Sequence, residues 1–110
     1  MNRALRKRLG VAVLLATFAL PLTCFADEAA DLYKSKCAMS HGPDGSGKTM
    51  MGEKLKVADL RSADVQKKTV AELTTIITKG KDKMPPYEGK LTKEQVAKVV
   101  AFIRDLGKKH

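Results

Sequence analysis

The sequence predicts one all-α domain, preceded by a short N-terminal segment that does not belong to it. Apolar residues recur at three- and four-residue steps over residues 28–40, 69–79 and 92–106, which is the pattern of amphipathic helices. After residue 26, no stretch shows the alternation of apolar and polar residues that marks a half-buried strand. Helices joined by loops are therefore expected to build the domain.

The first 26 residues have the composition of a secretory signal peptide. A basic segment that ends at Arg8 is followed by an apolar run over residues 11–20, which is too short to span a bilayer. Cys24 and Ala26 are small residues at the two positions that signal peptidase reads, so cleavage is expected after Ala26. The sequence thus predicts an exported, periplasmic protein whose mature chain, residues 27–110, has no membrane span.

The composition of the mature chain points to a bound cofactor. Removal of residues 1–26 takes away four of the 21 basic residues and none of the 12 acidic ones, which leaves a formal charge of +5. Cys37 is then the only cysteine, so no internal disulfide can stabilise this small domain. A buried cofactor can supply that stability, because it binds the folded state alone. Nucleic-acid binding is disfavoured, because the chain is exported and lacks an aromatic platform for stacked bases.

The end of the first predicted helix combines a thiol with an imidazole. Cys37 and His41 stand four residues apart, so the two side chains are expected one helical turn apart on the same face. Gly42 is a typical helix stop, and Pro43 beyond it cannot continue the helix. The pattern therefore predicts that the thiol and the imidazole face a single binding site.

The two later helices each begin with a capping box. Thr69 is followed three residues later by Glu72, and Thr92 is followed in the same way by Gln95. Gly107 is expected to end the last helix. The apolar stripes of the two helices consist of Val70, Leu73, Ile76 and Ile77, and of Val96, Val99, Val100, Ile103 and Leu106, with Phe102 at the edge of the second stripe.

The remaining segments are expected to be loops, apart from a short helix that starts at Ser62. Residues 42–56 are rich in turn residues and have no clear periodicity. Residues 81–89 form a second loop, which contains Met84 followed by two prolines. Since Pro85 favours extended geometry at the residue before it, Met84 is expected on a stiff, polar arm outside any apolar stripe.

These features together resemble a small bacterial class I cytochrome c over residues 31–106. In that family the haem-attachment segment reads C-x-x-C-H, and here Ser40 occupies the position of the second cysteine. The resemblance implies three main helices and loops wrapped around one c-type haem. It also implies that His41 is the proximal iron ligand, that Met84 is the distal one, and that Cys37 forms one thioether. A serine hydroxyl does not add to a vinyl group as a thiol does, so a single thioether is expected.

The resemblance further implies a one-electron carrier and not an enzyme, because the protein fills both axial positions of the iron. Redox partner proteins with an acidic docking surface are expected, and the carrier is expected to be monomeric. Lysines near the haem could steer such a partner, although a solvated surface is the simpler interpretation of any single one. These lysines are Lys34, Lys36, Lys48, Lys54, Lys56, Lys79, Lys81 and Lys83.

Several alternatives stay open at this point. Met39 is expected near the haem edge, and Met50 and Met51 are weaker candidates for the distal ligand than Met84. Imperfect attachment could loosen Met84 and allow peroxidase-like chemistry. A haem-free copper site built from Cys37, His41 and a methionine is a further alternative. A blue-copper site normally has two histidines, and His110 would have to be the second.

Overall fold

The computed structural model describes residues 22–109, and within this range the chain forms six helices and no strand. The helices are α1 (Leu22–Lys36), α2 (Ala38–His41), α3 (Met50–Leu55), α4 (Ala63–Gln66), α5 (Val70–Lys79) and α6 (Lys93–Lys108). The prediction of an all-α fold is confirmed. Most of the predicted signal peptide lies outside the described residues. No helix between residues 22 and 109 has the length and apolar character needed to cross a membrane.

The first and last long helices, α1 and α6, make the most extensive helix–helix contact in the described chain. Tyr33 of α1 is buried, and its ring lies 4.6 Å from that of Phe102 of α6. Ala29 is also buried on α1, and Val99 of α6 is fully buried. Lys98 of α6 also forms an ion pair with Glu28 of α1. The α1–α6 contact thus forms part of the core, to which Leu60, Val65, Leu73, Ile77 and Leu91 also belong.

The capping box and the apolar stripe predicted for α6 are confirmed. Thr92 Oγ1 accepts a hydrogen bond from the Gln95 N–H at 3.1 Å, and the Gln95 side chain accepts one from the Thr92 N–H at 2.9 Å. The buried residues of α6 are Val96, Val99, Val100, Ile103 and Leu106. The prediction that Gly107 ends the helix is wrong, because α6 continues to Lys108.

The capping box of α5 is also present, with Thr69 at the N-cap and Glu72 as its partner. Leu73 and Ile77 are buried, as expected of the apolar stripe, and α5 contacts α6. Val70 is 57% exposed, so its place in the apolar stripe was predicted wrongly. Val70 is the first residue of α5, and at this end of the helix its side chain lies outside the core.

The predicted helix over residues 28–40 differs from the observed one at both ends. Helix α1 begins at Leu22 and ends at Lys36, and Cys37 leaves the helical conformation with φ −121° and ψ −34°. The chain then forms the single turn of α2, which ends at Gly42 with φ +83°. A break therefore separates the long helix from the segment that contains Cys37 and His41.

The prediction that residues 42–56 are entirely loop is wrong, because they contain α3. Thr49 caps this helix by accepting a hydrogen bond from the Gly52 N–H at 2.8 Å, and Lys56 ends it in the left-handed conformation. The expected short helix after Ser62 is present as α4. Leu60, before this helix, and Val65, within it, are both buried.

Candidate haem site

Four side chains that the sequence singled out line one cavity of about 320 Å³: Cys37, Ser40, His41 and Met84. The first three belong to α2 or directly precede it, whereas Met84 comes from the loop between α5 and α6. The volume lies in the range of roughly 300–1,000 Å³ that is typical of cofactor and small-molecule sites. The fold therefore brings together residues that are far apart in the chain.

The inner wall of this cavity is apolar and belongs to the hydrophobic core. Besides α2, the segment around α4 and the helices α1, α5 and α6 contribute to it. The buried apolar residues of this wall include Leu60, Val65, Leu73, Ile77, Val99 and Ile103. A large, mostly apolar group would gain burial against these side chains, which is the main favourable contribution to binding such a ligand.

His41 is oriented by the chain that follows α3. Its Nδ1 lies 3.3 Å from the carbonyl oxygen of Ala58, and because a carbonyl can only accept, Nδ1 carries the proton of this bond. The neutral ring then keeps its lone pair on Nε2, the arrangement that is typical of a metal-ligating histidine. Burial lowers the pKa of His41, against the opposing effect of the Ala58 carbonyl. The imidazole is therefore neutral and ready to donate to a metal.

Cys37 is a free, half-buried thiol at the break between α1 and α2. Its carbonyl accepts hydrogen bonds from the N–H groups of Ser40 (3.2 Å) and His41 (2.9 Å), which fixes the relative positions of the three residues. Burial raises the pKa of the thiol to about 11, so the thiol is protonated at neutral pH. A site with this burial protects the sulfur from bulk oxidants while it faces the cavity.

The segment with Ser40 is held from outside by α3, the helix that the sequence did not reveal. Thr49 Oγ1 donates a hydrogen bond to the Ser40 carbonyl at 2.8 Å. Gly52 is buried against the same carbonyl, so closely that a Cβ atom there would lie 2.3 Å from the Ser40 oxygen. Nothing in the sequence of Thr49 to Gly52 indicated a contact with Ser40.

Tyr33 supports the other side of the same segment. Its hydroxyl donates a 2.6 Å hydrogen bond to the carbonyl of Gly42, the residue directly after His41. Burial is the main reason why the pKa of Tyr33 is raised, so the hydroxyl remains a donor. The sequence did not indicate a functional role for Tyr33, because an aromatic residue on the apolar stripe of a helix normally indicates core packing alone.

Met84 is half-buried and lies in a tight turn. The Lys81 N–H donates to the Met84 carbonyl at 3.1 Å, and the Met84 N–H donates to the Lys81 carbonyl at 2.9 Å. Within this turn Asp82 has φ +53°, and Gly80 before it has φ +80°. Of the methionines in residues 22–109, Met84 is the one that lines the cavity. Met39, Met50 and Met51 are exposed by 79%, 90% and 40%.

Lysines lie around the cavity on several elements. Lys36, Lys56, Lys81 and Lys83 are exposed and contribute to its lining, and half-buried Lys68, which the sequence did not indicate, joins them. Lys79, one of the lysines considered from the sequence, instead pairs with Glu88 at 2.5 Å. The cavity thus has an apolar wall and a basic rim.

Cys37, His41 and Met84, the residues that the copper alternative would use, line the same cavity. No group of three or more histidine, cysteine, aspartate or glutamate residues between positions 22 and 109 is arranged to hold a metal ion. His110, the second histidine required by the copper alternative, lies outside the described residues.

Comparison with known proteins identifies the class that this fold and cavity represent. The family model described as "Cytochrome C oxidase, cbb3-type, subunit III" matches residues 25–103. This is well over half of the chain, so the chain belongs to this cytochrome c family. A solved structure, the "KustC0563 c-type cytochrome", is 31% identical, with a TM-score of 0.66, and the match covers 71% of this chain and 95% of that one. No curated protein matches the chain.

Membership of this family indicates a covalently bound c-type haem and a role in electron transfer, and the cavity fits such a group. The apolar wall suits a porphyrin, the neutral imidazole of His41 and the thioether of Met84 suit haem iron, and the Cys37 thiol suits covalent attachment. Ser40 is the residue that departs from the usual attachment pattern.

Proposed function

We propose that the protein is a periplasmic one-electron carrier with one haem c, His41 and Met84 as axial ligands, and one thioether at Cys37. The observation that carries this proposal is the shared cavity: Cys37 and His41 line it together with Met84, a residue from a distant loop. The bound haem would supply a redox-active iron. Methionine ligation raises its reduction potential, which suits electron transfer.

The donor atoms of the chain support a carrier over an enzyme. Nε2 of His41 is free because Nδ1 bonds to the Ala58 carbonyl, and the Met84 turn brings a soft sulfur to the same cavity. With both positions taken by protein atoms, no iron position remains for a substrate.

Attachment would use the thiol of Cys37 alone. The S–H bond adds across one vinyl group, so that sulfur bonds to one carbon and hydrogen to the other. Ser40 lines the same cavity but cannot undergo this addition under the same conditions, and the second vinyl group is expected to stay intact.

We also propose that the chain is exported and cleaved after Ala26. The basic and apolar N-terminal segment supports this, and the family match begins only at residue 25. Cleavage would remove the first five residues of α1, so that Asp27 and Glu28 would stand in its first turn. Negative charge there stabilises a helix through the macrodipole. The mature carrier is expected to be a monomer that docks with acidic redox partners through its basic rim.

Absorption spectra of ligand variants test the proposed iron coordination. Exported wild-type protein should give a low-spin haem spectrum in both oxidation states. Met84→Ala should give a high-spin ferric spectrum, because the distal ligand is lost. Met39→Ala is the matched control: Met39 is 79% exposed and does not line the cavity, so its removal should leave the spectrum unchanged.

Two results would overturn this proposal. An unchanged low-spin spectrum in Met84→Ala would show that another residue is the distal ligand. A high-spin ferric spectrum in the wild-type protein, together with turnover of hydrogen peroxide, would instead indicate a peroxidase-like protein with a labile methionine.

A further inference from the structure

Tyr87 connects the loop that contains Met84 to the helix that precedes Cys37. Tyr87 lies three residues after Met84, and its hydroxyl donates a 2.9 Å hydrogen bond to the carbonyl of Lys36. Lys36 is the last residue of α1 and the direct neighbour of Cys37. One side-chain bond thus joins two segments that are 51 residues apart in sequence.

The carbonyl that Tyr87 binds is available because α1 ends at Lys36. The last four carbonyl groups of a helix have no partner within the helix. The chain continues through a break at Cys37, whose own N–H turns back to the Tyr33 carbonyl at 2.8 Å. Tyr87 therefore donates a hydrogen bond to the Lys36 carbonyl, at the point where α1 ends and the segment with Cys37 begins.

The other contacts of this loop lead to a different element, α5. The Tyr87 N–H donates to the Ile77 carbonyl at 3.0 Å, and the Glu88 N–H donates to the Thr78 carbonyl at 3.1 Å. These bonds, like the exposed pair of Lys79 with Glu88, attach the loop to the C-terminal end of α5. The Tyr87 hydroxyl adds a contact to the attachment side of the cavity.

We propose that Tyr87 is a positioning residue for Met84, and that its bond to the Lys36 carbonyl holds the Met84 loop in register with the end of α1 next to Cys37. This inference rests on the proposed function, because it takes Met84 as the distal ligand. Tyr87 also lines the cavity, so the residue whose hydroxyl joins the two segments is itself part of the site. A haem held by one thioether in place of two depends more on its axial ligands, so the positioning of Met84 matters more.

Displacement of the distal ligand by added imidazole provides the first test, with wild-type, Tyr87→Phe and Thr69→Ala proteins. Tyr87→Phe keeps the ring and removes only the hydroxyl. It should lower the imidazole concentration at half displacement by roughly 2- to 10-fold, the change that loss of one hydrogen bond produces. Thr69→Ala removes a capping bond at the opposite end of α5 and lowers global stability without touching the loop. It should leave the half-displacement concentration within 2-fold of the wild-type value.

Amide hydrogen exchange over residues 81–89 provides a second test that does not depend on iron coordination. Exchange at the amides of Met84 and Tyr87 should be faster in Tyr87→Phe than in the wild-type protein, by a similar factor. Equal displacement curves and equal exchange in Tyr87→Phe and wild type would overturn the inference, as would equal shifts in Tyr87→Phe and Thr69→Ala. A wild-type haem that lacks methionine ligation would instead contradict the proposed function, and the exchange comparison would then decide the positioning role alone.

Discussion

Ser40 faces the same cavity as Cys37 and stands one residue before His41. Serine and cysteine differ in one atom and are similar in size, so the backbone of α2 already presents a side chain where a second thiol would stand. The segment is fixed from outside by the Thr49 hydroxyl and Gly52, both of which contact the Ser40 carbonyl and leave the side chain uninvolved. The position is therefore suited to a substitution that tests covalent attachment.

Ser40→Cys is expected to produce a second thioether. The α band of the denatured pyridine haemochrome should move to shorter wavelength, because saturation of the second vinyl group shortens the conjugated system. The haem-loaded protein should also unfold at a higher denaturant concentration. Ser35→Ala, a change on the exposed face of α1, is the control and should alter neither result. An unchanged band position in Ser40→Cys would show that the second vinyl group is out of reach.

Gly80 is the residue at which the Met84 turn depends most directly on the absence of a side chain. It has φ +80°, and a Cβ atom there would lie 2.7 Å from the Met84 carbonyl oxygen and 2.9 Å from the nitrogen of Pro86. Gly89 has nearly the same φ, +83°, but nothing lies within 4 Å of its Cβ position. Comparison of alanine substitutions at the two positions therefore separates two energetic costs: that of a side chain at positive φ, and that of steric contact with the neighbouring backbone.

Gly80→Ala should be more destabilising than Gly89→Ala. Each substitution places a Cβ at positive φ, a strained backbone conformation that costs on the order of 1–3 kcal/mol. Gly80→Ala should also displace the turn and weaken methionine ligation, since the atoms it would meet belong to the backbone. Chemical denaturation and the ferric absorption spectrum measure the two effects. Equal losses of unfolding free energy, with normal ligation in both variants, would contradict this account of the turn.

At the scale of helices, Gln66 connects α4 to α6. Its Nε2 donates to the carbonyls of Leu60 at 2.7 Å and Ile103 at 3.0 Å. Gly107 allows this approach, because a Cβ atom there would lie 2.3 Å from Gln66 Cδ. Arg104 adds hydrogen bonds from α6 to the carbonyls of Gln66 and Lys68. Lys68 lines the haem cavity, so these contacts brace the cavity wall.

Gly107→Ala should not give the stabilisation that a better helix former normally provides. Alanine favours a helix over glycine by up to about 1 kcal/mol. Displacement of Gln66 would disturb two hydrogen bonds that contribute about 0.5–1.5 kcal/mol each, so net destabilisation is expected. In a Gln66→Ala background the same change should be stabilising. A double-mutant cycle by chemical denaturation measures this coupling, and additive effects would contradict the proposed contact.

The helices that the sequence predicted well are those with a capping box and a regular apolar stripe. Helix α6 has both, with Thr92 at its start and five buried residues on one face. Helix α3 was missed because two of its six residues, Met50 and Met51, are apolar but exposed, so that no periodic pattern remains. The role of Gly107 was predicted wrongly, because a glycine near a helix end gives the same sequence signal in two cases: when it ends the helix, and when it allows a neighbouring side chain such as Gln66 to pack closely against it.

The candidate site was predictable to the extent that its residues have distinctive chemistry. Cys37, His41 and Met84 combine soft or metal-ligating side chains with unusual local sequence, and the cavity contains all three. The groups that orient them were not predictable. Ala58 acts through its backbone carbonyl, and Tyr33 and Tyr87 act through hydroxyls whose acceptors are also backbone carbonyls. Such partners are determined by the tertiary fold, since every residue type has a carbonyl.

For the whole molecule, charge is the feature that governs encounters with partners. The mature chain would have a formal charge of +5, and several exposed lysines lie at the rim of the cavity. Charges of one sign around a cleft raise the association rate with an oppositely charged reactant, in a manner that salt suppresses. The Debye length is about 10 Å at 0.1 M salt, so this effect is largest in dilute buffer.

Removal of charge at the rim should slow electron transfer more than removal of equal charge elsewhere. We expect Lys36→Gln with Lys56→Gln to lower the rate constant for oxidation by ferricyanide several-fold at low salt and to weaken its salt dependence. Both lysines lie off the Met84 loop. The matched control is Lys93→Gln with Lys108→Gln, at the two ends of α6. Equal effects of the two pairs, measured by stopped-flow absorption, would show that only net charge matters.

The central claim is that a single cysteine attaches the haem, and the intact mass of the exported protein under denaturing conditions tests it most directly. We predict a mass equal to the chain from Asp27 to His110 plus one haem, and loss of the haem mass in Cys37→Ala. A wild-type mass equal to the bare chain would contradict the claim, because a haem held only by axial bonds does not remain with a denatured protein.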